Sequence, residues 1–119
     1  MILYRPTGLK ELQLVEESGW ELWPPRLVDQ PIFYPVTTFE YAEKIARDWN
    51  SSLPAPDNLG FVTQFEINSE TARQYSVKDA GGREHQELWV PADELDTFNA
   101  GIVGKIRVVA SYRDKKRTD

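Results

Sequence analysis

His85-Gln86-Glu87 sets the chain's one histidine two residues from a carboxylate, with Glu84 just ahead, at the mouth of the apolar run Leu88-Trp89-Val90. Gly81-Gly82 can take the positive φ angles of a tight turn, the apolar run has the bulky side chains of a strand, and Pro91 ends it. A carboxylate at the lip of a core is held rigidly enough to act on a ligand. Two more polar clusters stand where strands are expected to end: Tyr4-Arg5, and Tyr34 with Thr37-Thr38. The planar arginine fork suits a phosphate or carboxylate, and a tyrosine offers a flat face to a ring. A glutamate in the same cleft can accept a ribose hydroxyl and stabilise the cation that forms when a glycosidic bond breaks. Each residue also has a purely structural reading. Arg5 can pair with one of the 19 acids, Tyr34 can be a core ring, Thr37 a helix cap, and the Glu84 to Glu87 cluster a charged hairpin shoulder. Their shared placement at strand ends favours a site.

The elements that must hold these residues follow from periodicity and punctuation. Strands are expected at 2–5, 32–36, 61–67, 86–90 and 102–112, the third central and the last bent at Gly104. Helices are expected at 8–18, capped by Thr7 and closed at Gly19, and at 38–49, opened by the capping box Thr37-Thr38-Phe39-Glu40. On the first helix Leu9, Leu12 and Val15 share a face that Leu14 broadens. On the second, Tyr41, Ala42, Ile45, Ala46 and Trp49 form one stripe. With Tyr41, Ile45 and Trp49 packed on a sheet, Trp49→Ala would remove ~3–5 kcal/mol. Residues 20–30 read as an aromatic-rich loop held extended by Pro24-Pro25, 50–60 as an exposed loop, Ser69-Glu70 as a helical turn, Tyr75-Ser76-Val77 as a short strand, and Ala92 to Asn99 as a helix with Leu95 and Phe98 inward. The fold class is α+β, with mostly antiparallel small sheets flanked by two main helices. One domain is expected over 1–112, followed by a charged, flexible tail over 113–119.

Composition narrows the chemistry. The chain has 119 residues, enough for one compact core, with 40% hydrophobic and 28% charged residues, close to globular norms. The formal charge of −5 argues against capture of nucleic acid by a broad basic face. Without cysteine and with a single histidine, disulfides, thiolate nucleophiles, Cys-based zinc sites and multi-histidine metal sites are excluded, so no metal is expected. No apolar run approaches a signal sequence or a membrane span, and a cytoplasmic protein with no membrane partner is the expectation.

The order of these features is a strand with Tyr4-Arg5, a helix ending at Gly19, the segment Phe33-Tyr34-Pro35-Val36-Thr37, a helix with Ala42, Ala46 and Trp49, and a late strand opening on His85-Gln86-Glu87. In that order the chain resembles small ADP-ribosyltransferase-like domains. From Leu3 to Tyr112 it is also similar to a family of short bacterial proteins labelled ADP-ribosylation/crystallin, although it lacks the length and acidic metal cluster of the large all-α glycohydrolases to which that label belongs. The resemblance implies NAD as a substrate. Arg5, with Tyr4 beside it, would hold its phosphates or ribose; Tyr34 and Thr37 would shape the nicotinamide pocket; Glu87 would polarise the nicotinamide ribose. His85 takes the place where many members carry Glu or Gln to select the acceptor, and Tyr34-Pro35-Val36-Thr37 stands where others have Ser-Thr-Ser. Two functions stay open: an NAD-dependent mono-ADP-ribosyltransferase or NAD-cleaving relative with an unknown protein acceptor, or a catalytically inactive domain of that fold that binds a nucleotide-like small molecule or a protein partner.

Overall fold

The computed structural model describes residues 1–79 and 85–119, so the expected turn at Gly81-Gly82 and the carboxylate of Glu84 lie outside the described residues. The chain runs β1 (Ile2–Thr7), α1 (Leu9–Glu17), β2 (Ile32–Phe33), α2 (Phe39–Asp48), β3 (Leu59–Ile67), α3 (Ser69–Ala72), β4 (Val77–Asp79), β5 (Gln86–Leu88), β6 (Val90–Pro91), α4 (Leu95–Asn99), β7 (Ile102–Arg113) and β8 (Lys116–Arg117), with 3-10 turns at Asn50–Ser52 and Ala92–Glu94. It is a mixed α+β fold with antiparallel sheets. Among the described residues, the main sheet has the order β1-β3-β7-β8, and β2-β6 and β4-β5 form two-stranded ribbons.

The sheet is covered on both faces, and strand alternation decides which side chain meets which cover. Leu3 and Phe65 point into a large core with Val15, Trp23, Phe33, Leu88, Val90 and Phe98. Val62, Ala110 and Tyr112 face the other way, against Ala42 and Ala46 of α2, with Tyr4 and Phe39 packed beside them. The extended loop expected over 20–30 carries the centre of the first core. Trp23 is buried against Phe33 and Phe65, with ring centroids at 5.5 and 5.2 Å. Its backbone is braced by Asn99, whose Oδ1 accepts from Trp23 N and whose Nδ2 donates to Trp23 O, both at 3.0 Å.

Several expectations are corrected. Thr7 is the last residue of β1, and Gly8 caps α1 without a side-chain bond. Leu14 is exposed rather than part of the buried stripe, which is Leu12 and Val15. In α2 the cap is Thr38, whose hydroxyl accepts from Tyr41 N at 3.2 Å, while Thr37 N is drawn to Gln86 O at 3.0 Å. Trp49 is 71% exposed. Ala42 and Ala46 are the buried residues of that helix because small side chains let its backbone approach β1 and β3 closely. Gly60 marks that approach: a Cβ there would lie 2.2 Å from Ala46 O. The expected strand at 32–36 is regular only over Ile32–Phe33, paired with β6, after which Val36 alone bridges Tyr4 and Glu87. Beyond Arg113 the chain turns through Asp114 and Lys115, both at positive φ, and returns as β8 against Tyr112 and Arg113.

Tyr112 donates its hydroxyl to Glu43, tying β7 to α2. Burial first, and then Glu43's hydrogen bond and charge, push its phenol from 10.0 up to about 12. The folded value lies above the unfolded one, so this stabilisation is complete below pH 10 and is lost as pH rises toward 12. The melting temperature of the wild type should therefore fall more steeply across that window than that of Tyr112→Phe, which has no phenol to ionise. Equal slopes would mean that the hydroxyl contributes nothing to the pH dependence.

Candidate functional site

Where β1 ends and α1 begins, a cavity of about 270 Å³ opens between those elements, the loop at Arg26 and the C-terminal end of α2. Arg5, Thr7, Gly8 and Glu11 form one wall, Arg26, Gln30 and Tyr34 a second, and Ile45, Trp49 and Asn50 a third. The Arg5 side chain points inward by strand alternation, and its fork closes on Glu11. Nε donates to Glu11 Oε2 at 2.6 Å and Nη2 to Oε1 at 2.9 Å. The guanidinium lies over Phe33, 4.7 Å from the ring centroid, and 6.0 Å from that of Tyr34. Arg26 approaches the same carboxylate, its Nη1 at 3.8 Å from Glu11 Oε1, with its side chain 10% exposed. Burial, and then the Arg5 charge, hold the Arg26 pKa below its usual value, against the opposing pull of Glu11 and Tyr34. Two cations and one anion thus line one sheltered cavity.

Thr7 Oγ1, Arg26 Nε and Asn50 Oδ1 are buried and have no hydrogen-bond partner among the described residues. All three belong to residues of this one cavity. Buried polar atoms are usually paired, and leaving one unpaired costs about 1–3 kcal/mol, so three such atoms in the lining of one hollow make it the candidate site. Gly8 adds the uncapped N-terminus of α1, whose field favours an anion.

Glu87 stands on the other side of the Val36 bridge. Its carboxylate is buried: Oε2 accepts from Tyr41 Oη at 2.5 Å and Oε1 from Trp89 Nε1 at 2.9 Å. Burial and then Glu87 push the Tyr41 phenol well above its usual range. His85 packs on Tyr41, ring centroids 4.7 Å apart, at the edge of a shallower hollow that Lys44, Ile45, Asp48 and Trp49 also line. The two hollows share Ile45 and Trp49.

The structure therefore brings Arg5 and Tyr34 to one cavity, and His85 and Glu87 to Tyr41. Tyr4 lies on the opposite face of β1 from Arg5, edge-on to Phe39 at 6.1 Å and accepting from Gln64 Nε2 at 3.2 Å. Thr37 does not line the cavity; its amide is bonded to Gln86 O. Glu11, Arg26, Gln30 and Asn50 are polar wall residues that sequence patterning passed over, and Thr7 entered it only as a helix cap. Arg26 follows two prolines in a loop without period, and Glu11 stands in the first turn of α1, six residues on from the Arg5 it pairs with. Among the described residues no group of three or more His, Asp or Glu side chains converges as a metal set would, and no helix is long and apolar enough to cross a membrane. No family model, curated protein or solved structure matches the chain.

Proposed function

We propose that this protein is a binding domain for a small, nucleotide-like anion, which it holds without turnover. The observation that carries the reading is the cavity at Arg5 and Arg26, with its three unpartnered buried polar atoms. In this reading the anionic group seats against Arg26 and Thr7 near the start of α1, and a flat ring lies against Trp49, which stands exposed between the two hollows. Tyr34, half exposed at the cavity wall, offers a second face. What supports binding without turnover is Glu87, whose two oxygens accept from Tyr41 and Trp89 and which does not line the cavity that holds Arg5.

Calorimetry with NAD, ADP-ribose and AMP tests the reading, alongside a nicotinamide-release assay. Arg26→Met keeps an apolar stem over Phe33 but removes a charge-assisted contact, and should weaken binding by about 10- to 100-fold. Trp49→Ala should leave stability within about 0.5 kcal/mol while weakening ring-bearing ligands through lost stacking of ~1–3 kcal/mol. Nicotinamide release that Glu87→Gln abolishes would instead establish the transferase or NAD-cleaving reading. No binding at millimolar concentration would end both.

A further inference from the structure

We propose that Glu11 fixes the charge of the anion this cavity accepts, making it a site for a singly charged group such as a phosphodiester or carboxylate rather than a phosphomonoester dianion. This rests on the binding reading above and adds the substrate class. The charged side chains of the wall are Arg5, Arg26 and Glu11, two positive and one negative, a net of one positive. Arg5 is 7% exposed and Arg26 similarly enclosed, so water screens them little. A guest with one negative charge neutralises this wall. A second charge finds no counter-charge among the described lining side chains and is repelled by the Glu11 carboxylate, and an uncompensated charge in such surroundings is expensive.

Glu11 is poorly placed to move aside. Its bidentate grip on Arg5 at 2.6 and 2.9 Å is the strong, directional form of the pair, and it stands in the first turn of α1, where a carboxylate is favoured by the helix field. The polar atoms of the lining that Glu11 leaves unbonded are two donors, Arg26 Nε and the Thr7 hydroxyl, and one acceptor, Asn50 Oδ1. The complementary group carries both anionic oxygens and an N–H or O–H, as a ribose phosphodiester or a hydroxy acid does.

The test compares 5′-AMP with its 5′-methyl phosphodiester at pH 8, where the second phosphate ionisation, near pH ~6, leaves AMP a dianion and the ester a monoanion. Binding to the wild type and to Glu11→Gln is followed by calorimetry, with circular dichroism and thermal melting to establish that the variant folds. The expected result is that the wild type binds the ester about tenfold more tightly, and that Glu11→Gln shifts the ratio at least about tenfold toward AMP. The change in ratio cancels the bulk of the methyl group itself. A folded Glu11→Gln with an unchanged ratio overturns the assignment while leaving the binding reading intact, as does a wild type that prefers AMP. If Glu11→Gln does not fold, the wild-type preference decides alone. Failure of both ligands to bind either protein overturns the binding reading and this inference together.

Discussion

Trp23→Ala should lower the free energy of unfolding by about 3–5 kcal/mol, a large part of a small domain's margin. Trp23 is fully buried between Phe33 and Phe65 in tilted and edge-on contacts, and the Arg5 guanidinium lies 5.9 Å from its ring. Removing the indole opens a cavity with walls from β1, β2 and β3, which cannot all collapse inward. It also loosens the backbone that Asn99 grips. Denaturant unfolding reads the effect as a lower midpoint with an unchanged slope. A loss below about 1 kcal/mol would show that the loop around Trp23 is an accessory cover and not the centre of the core.

Arg5→Ala should cost about 3 kcal/mol, the lower end of the range for breaking a buried pair, because Glu11 keeps Arg26 nearby and some contact with water. The substitution removes the guanidinium stacked on Phe33 as well as the ion pair. A loss of ligand affinity in this variant would therefore report a damaged wall as much as a missing contact, and Arg26→Met is the cleaner probe of binding. Arg5→Met combined with Glu11→Leu, which replaces the pair by apolar groups, should recover at least half of the lost stability in the same denaturation experiment. If the double variant is no better than Arg5→Ala, the pair is needed for the geometry of the strand-to-helix junction itself.

The strands and the two long helices were legible because each carries a period and punctuation that act locally. Leu3, Arg5 and Thr7 alternate inward as a strand demands, and a threonine pair followed by spaced apolar residues announces α2, although its cap is Thr38 and not Thr37. Which face of α2 is buried was not legible. Residues 41, 42, 45, 46 and 49 span two adjacent stripes, and a sequence pattern weighs the larger side chains more heavily. The helix buries the small stripe because the sheet lies close beneath it, and the displaced Ile45 and Trp49 become cavity wall. The same limit applies to the site. Arg5 and Tyr34 could be picked out as polar residues at strand ends, whereas Glu11, Arg26 and Asn50 reach the cavity from a helix, a loop and a helix terminus that no local pattern relates. Glu87 lies in β5, within the strand expected there, but the donors that occupy its oxygens depend on Tyr41 and Trp89 meeting it in three dimensions.

The one-residue bridge at Val36 also bears on the exposed edge of the main sheet. Val36 exchanges two backbone hydrogen bonds with Tyr4, at 2.7 and 2.9 Å, while Leu88 N bonds Pro35 O and Thr37 N bonds Gln86 O. Backbone groups of even-numbered residues in β1 thus face the outer edge of the main sheet, and alternation leaves few of them free: Tyr4 is occupied and Pro6 has no N–H to offer. An unpaired sheet edge invites a strand from another molecule, the usual first step toward aggregation. Here a single buried valine and one proline close most of that edge to strangers, so a strand too short to build a sheet serves as its guard.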